Sequence, residues 1–160
     1  MDKLKPRTTP ELRFFQGYIT AASEMFLRGQ LDASLEALAF EILDSSVTVS
    51  EVIEAANPDG TNPIQYVNEE PLDQLESEIN AFLKVDLRFW KDNTSVPSLI
   101  EERLREGFWE YLSQCFDYKN SQIFSVGPDV PCINIGPGFT YVLYNKEMTR
   151  CLVLVGNTTD

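Results

Sequence analysis

The hydrophobic pattern of this chain changes period once, at Asp117, and that change limits what the chain can fold into. Before it, apolar residues recur every three or four positions, the spacing of a helix that buries one face. After it come short runs rich in Val, Ile, Phe and Tyr, separated by Gly, Pro or polar turns, as strands require. Helical signals first and strand signals second predict an α+β fold. It has about five N-terminal helices, followed by a C-terminal antiparallel sheet of three to four strands. For 160 residues, a single domain is expected over 1–160. It divides into a flexible N-terminal tail at 1–8, a mainly helical part at 9–116 and an antiparallel β part at 117–156.

The first helix starts at Thr9, with Pro10 at its first position and Glu11 in its first turn. There a missing N–H costs nothing and an acid meets the positive helix end. Leu12, Phe15, Ile19, Ala22 and Phe26 form its apolar stripe, and Gly29 stops it. A second helix is expected from Gln30 to Leu43, with Leu31, Leu35, Leu38 and Ile42 on one stripe. The junction is short, so the first two helices form an antiparallel hairpin. Thr48 and Glu51 have capping-box spacing ahead of a third, short helix at Val49 to Ala56. Asn57 to Pro71 reads as a loop, with Ile64 to Val67 as a short extended piece. A fourth helix starts near Pro71 and aligns Leu72, Leu75, Ile79 and Phe82. Residues 84–90 suit either a strand or a continuation of that helix, with the helix preferred. A fifth helix runs from about Pro97 to Phe116, with Gly107 inside it where another backbone packs closely. Strands are expected at Gln122–Val126, Pro131–Ile135, Phe139–Asn145 and Arg150–Val155, the last two as a hairpin.

The net charge of −12 comes from one block. Residues 11–80 hold 14 acids against two bases, and no Lys or Arg occurs from Gly29 to Leu83. Residues 1–10 are net +2 and residues 81–160 net −2. Such a block repels phosphate backbones and anionic membrane surfaces, so neither a nucleic acid nor a membrane is the expected partner. A basic protein would be attracted, and less so at high salt. A solvated acidic surface that only keeps the chain dispersed has the same composition and is the plainer explanation. No apolar run approaches the ~20 residues that cross a bilayer. No hydrophobic stretch follows Lys3, Lys5 and Arg7, which points to a cytoplasmic location.

The chain has no histidine. That removes Ser-His-Asp and Cys-His machinery and the imidazole ligands of most catalytic zinc sites. Three scattered cysteines, Cys115, Cys132 and Cys151, read as free thiols packed like small hydrophobes. Glu102, Glu106 and Glu110 share one face of the fifth helix, and a solvated face explains them better than acid–base catalysis. With Gly60 of the Asn57–Asn62 segment as the sixth position of a calcium loop, Ala55 and Tyr66 stand where carboxylates are needed, and Gly136-Pro137-Gly138 lacks the Gly-Lys-Ser/Thr ending of a phosphate loop. No cofactor, metal ligand or catalytic residue is therefore assigned.

These features point to a non-enzymatic acidic protein, an adaptor or an inhibitor of the immunity type, that binds a basic protein surface. Its contact patch is expected at Asp32, Glu36, Glu41, Asp44, Glu69, Glu70, Asp73 and Glu76. The alternative is a small enzyme or ligand-binding domain with a pocket between helices and sheet, for which Tyr141, Tyr144, Glu102 and Cys132 are the candidate groups.

Overall fold

A computed structural model describes residues 2–25, 32–58, 64–84, 95–127 and 138–159. Strand β1 (Leu4–Arg7) leads into helix α1 (Pro10–Met25), strand β2 (Asp32–Ile42) and helix α2 (Val49–Ala56). Strand β3 (Tyr66–Glu70) precedes helices α3 (Leu72–Phe82) and α4 (Ser95–Cys115). A 3-10 turn at Tyr118–Asn120 then opens the run of strands β4 (Gln122–Gly127), β5 (Phe139–Asn145) and β6 (Arg150–Thr159). All six strands join one sheet in the order β1-β2-β6-β5-β4-β3, and each neighbouring pair is antiparallel.

This overturns the expected order of five helices followed by three or four strands. Among the described residues there are four α-helices, and three of the six strands lie in the first half. The decisive correction is β2, which replaces the second helix and abolishes the helical hairpin. Its Leu, Ala and Glu residues favour helix intrinsically. Its apolar residues also alternate in two sets, however. Leu35 and Ala37 are buried on the α1 side, and Phe40 and Ile42 on the α2 side. Apolarity on both faces suits a strand inside a covered sheet. Pairing with β6 from Asp32↔Thr159 to Glu41↔Arg150 provides that site.

Residues 4–7, expected within a flexible tail, form β1 against β2, with Leu4 opposite Ile42 and Arg7 opposite Ala39. The Lys3 carbonyl accepts the Leu43 N–H at 2.8 Å, and Lys3 Nζ lies 2.8 Å from Glu51 Oε1 on α2. The short extended piece near Ile64–Val67 is strand β3, displaced to Tyr66–Glu70. Helix α3 stops at Phe82 with Leu83 as its cap, so it does not continue into Lys84 as preferred, while residues 85–90 and the expected strand at Pro131–Ile135 lie outside the described residues.

Two layers of helix sandwich the sheet. On one face α1, α3 and α4 cover the larger core, built from Phe15, Ile19, Leu75, Ile79, Phe108 and Leu112 over Leu143, Leu152 and Leu154. On the other face α2 places Val52 and Ile53 against Phe40, Cys151, Val153 and Val155. Its capping box is complete: Thr48 Oγ1 accepts the Glu51 N–H at 3.2 Å, and Glu51 Oε2 accepts the Thr48 N–H at 2.7 Å. Helix α3 is tied to α4 through Asn80, which accepts Trp109 Nε1–H at 2.8 Å and Arg105 Nε–H at 3.0 Å. What lies against Gly107 is the Tyr18 ring and not, as expected, a backbone. The Tyr18 hydroxyl donates to the Leu104 carbonyl at 2.9 Å.

Candidate interaction surface

The eight expected contact residues fall into two groups on different parts of the sheet. Asp32, Glu36 and Glu41 belong to β2, and Asp44 follows it. Glu69 and Glu70 belong to β3, while Asp73 and Glu76 lie in the first turns of α3. Strands β6, β5 and β4 stand between β2 and β3, a separation of about 19 Å at ~4.8 Å per strand. One contiguous patch is not formed by the whole set.

The β2 group is largely occupied with the fold. Glu41 sits in register between Lys5 and Arg150, so its charge has a base on each side. Asp44 Oδ1 accepts the Ser46 N–H at 2.8 Å, and this bond, more than Lys3 nearby, holds its carboxyl below the usual range. Glu36 is exposed and borders a cavity of about 200 Å³ with Leu38, Ile53 and Val153.

The β3–α3 group has a different setting. β3 ends the sheet, and among the described residues no strand pairs with its outer edge. Residues 66–69 are all exposed, with Tyr66 at 51% and Val67 at 37%. Pro71 alone joins β3 to α3, so Glu69, Glu70, Asp73 and Glu76 fall within eight consecutive residues that span the strand end and the helix start.

Beneath that corner lies a polar cavity of about 240 Å³ between α3 and strands β3, β4 and β5. Glu70 enters it from β3 and accepts the Ser125 hydroxyl at 2.8 Å. Glu78 enters it from α3 and accepts the Tyr141 hydroxyl. Burial first, and then the Glu78 carboxylate, push the Tyr141 phenol far above its ordinary pKa, so it stays a donor. No described Lys or Arg pairs with Glu70 or Glu78. Two carboxylates, each with one hydroxyl partner given among the described residues, in a cavity lined by no described base, suit a cationic group.

Glu78 was not among the expected contact residues. The signal for it is modest: Gln74 and Glu78 are four apart and flank the buried Leu75 and Ile79. Of the four candidate pocket groups, Tyr141 alone is placed in this cavity among the described residues. Tyr144 packs with the α2-side core, Glu102 is exposed on α4, and Cys132 lies outside the described residues. Glu102, Glu106 and Glu110 are all exposed, with Arg103 Nη1 at 3.4 Å from Glu106. Cys115 and Cys151 are free thiols that burial pushes up to about 11 and about 12, far from a reactive thiolate at neutral pH. Among the described residues no group of three or more His, Cys, Asp or Glu is placed to hold a metal ion, and no helix is long and apolar enough to cross a membrane.

No protein-family model matches this sequence, and no curated protein is similar to it at the sequence level. The fold has counterparts among solved structures. Citrus MAF1 in space group P3121 superimposes with a TM-score of 0.61 at 11% identity, covering 93% of this chain and 98% of that one. Citrus MAF1 in space group C2221 gives 0.57 at 11% identity, covering 93% and 99%. At that identity the likeness is one of fold: the chain shares the architecture of MAF1.

Proposed function

We propose that this chain is a non-enzymatic interaction protein, an adaptor or inhibitor, that engages a basic protein surface through the β3–α3 corner. The observation that supports this reading is the corner itself. Glu69 and Glu70 lie on a strand that has no outer neighbour among the described residues, and Asp73 and Glu76 follow at the start of α3, in a stretch where no Lys or Arg occurs between Gly29 and Leu83. An electronegative edge steers a basic partner into encounter and disfavours nucleic acid, whose phosphates it repels. The β2 acids contribute less, because Glu41 and Asp44 already have partners within the fold.

The test is affinity capture from the native host at low and high salt, repeated with the fourfold variant E69Q/E70Q/D73N/E76Q. The expected partner is basic, is lost at high salt, and binds the variant about ten-fold or more weakly, since several rim charges act together. E36Q, on the far strand, leaves capture unchanged. A neutral or acidic partner, or binding indifferent to salt, would sink the reading.

One observation favours the rival, a ligand-binding domain: the cavity holding Glu70, Glu78 and Tyr141 lies where helices meet sheet. Thermal-shift titration with small amines separates the two. A raised melting temperature with a free alkylamine, in a protein that captures no basic partner, would favour the ligand-binding domain.

A further inference from the structure

The two edges of the sheet are built differently. β1 carries Lys5, Pro6 and Arg7 along its four residues, and both proline and cationic side chains discourage another strand from pairing. β3 has the sequence Tyr-Val-Asn-Glu-Glu, without proline or base. Among the described residues its guards are Glu69 and Glu70, which act against one class of strand alone. A second copy of β3 would place acid against acid, which is unfavourable across a strand pair. A basic strand would meet complementary charge.

From this asymmetry, together with the cavity, we infer that the outer edge of β3 takes an extended basic segment of a partner as a seventh strand, and that the cavity under α3 takes one lysine or arginine side chain of that segment. The inference rests on the proposed binding of a basic protein and specifies how that binding is made. Main-chain hydrogen bonds to a free edge supply affinity, while a pocket for alternate side chains supplies selectivity. The geometry provides both at once, because Tyr66, Asn68 and Glu70 of β3 form one wall of the cavity. Side chains alternate across a strand. An added strand therefore sends every second residue toward the α3 side, where Glu70 and Glu78 both line the cavity. The intervening residues turn to the other side, beside the exposed Val67. A segment alternating basic and apolar residues fits this edge. Seating an ammonium or guanidinium between the two carboxylates would neutralise charge for which the described chain provides no ion pair.

The experiment uses the full chain and a fluorescein-labelled peptide of alternating lysine and valine. Two further peptides carry N-methyl groups, one on every lysine and the other on every valine. Binding is followed by fluorescence anisotropy, and amide hydrogen exchange is read at residues 66–70. An edge-paired peptide aims only alternate N–H groups at β3. One methylated peptide should lose binding and the other keep it, and the parent peptide should slow exchange within 66–70. E70Q/E78Q should weaken the parent peptide about ten-fold, because it removes both charges from the cavity. Glutamine keeps an acceptor oxygen for the Ser125 and Tyr141 hydroxyls, and a melting temperature no lower than that of the parent chain confirms that the fold is retained. If both methylated peptides bind like the parent and exchange at 66–70 does not change, strand addition is overturned. Salt-sensitive binding would in that case still leave the acidic-corner reading standing. Equal binding of a glutamate–valine peptide would overturn recognition by charge. Failure of every basic peptide at low salt overturns strand addition, and salt-dependent capture of the native partner then decides the broader reading separately.

Discussion

Thr140 is the residue whose place in the fold is least well satisfied. It lies on β5 opposite Val155, is 2% exposed, and its Oγ1 is buried with no hydrogen-bond partner among the described residues. A buried hydroxyl left unpaired costs about 1–3 kcal/mol, whereas an isosteric methyl costs nothing comparable. Thr140→Val should therefore stabilise the protein by about 1 kcal/mol, seen as a higher urea midpoint with an unchanged slope. A lower midpoint would mean that the hydroxyl is satisfied after all. The same scale shows why the cavity could not be read in advance. Tyr141 is recognisable as a polar group in an apolar strand, but Glu78 and Glu70 are ordinary glutamates in the sequence. They meet it only because β3, α3 and β5 converge. Carboxylates 55 positions from Ser125 and 63 from Tyr141 leave no local trace of that meeting.

At the scale of elements, local signals place α1 to α4 and misread two strands, β2 and β1. Thr48 and Glu51 announced α2, and Pro10 announced α1, because caps and first-turn prolines act within a few residues of the backbone they satisfy. β2 failed for the opposite reason. Leu35, Leu38 and Ile42 fit helical spacing, and what makes them a strand is pairing with β6, more than a hundred residues further on. β1 was missed for a similar reason. Leu-Lys-Pro-Arg looks like a solvated tail until Ile42 and Ala39 are beside it. Helix α2 has only eight residues, too few to be stable alone, and it alone among the described helices covers its face of the sheet. Its cap therefore supports the packing of Val52 and Ile53 as well as the helix. Thr48→Ala should cost about 1 kcal/mol. It should also speed hydrogen exchange through α2 more than through α1, and uniform loss of protection would contradict that local role. The Lys3–Glu51 contact behaves likewise with pH. Lys3 and the Thr48 N–H hold the Glu51 carboxyl below its usual value, so its contribution is present above the ordinary glutamate range and is lost as the pH falls through the lowered value.

At the scale of the whole molecule, charge that looked like a property of one sequence block becomes a property of two sheet edges. The basic residues Lys5 and Arg7 lie on one outer strand and the Glu69–Glu70 pair on the other. Five interstrand steps of ~4.8 Å put them about 24 Å apart. The Debye length is about 30 Å at 0.01 M salt and about 8 Å at 0.15 M. At low salt, then, every charge senses the net −12 across the molecule, while at physiological salt each senses only its neighbours. Net charge of this size opposes the compact state through self-repulsion. Among the described residues two of the opposing ion pairs are exposed, Lys3–Glu51 with side chains 38% and 37% accessible and Arg103–Glu106 with 75% and 56%, and a third, Arg105–Glu101, is still 34% and 23% accessible. Such pairs contribute little even before screening. Relief of repulsion should therefore win, and raising sodium chloride from about 0.01 to about 0.15 M should raise the melting temperature. Each kcal/mol of relief corresponds to roughly 2–4 °C in a chain of this size. Potassium chloride should act equally, since screening depends on ionic strength and not on the ion. E69Q/E70Q/D73N/E76Q, with four fewer negative charges, should start from a higher melting temperature at low salt and gain less from added salt. A melting temperature that falls as salt is added would show that the exposed ion pairs outweigh the field of the whole chain.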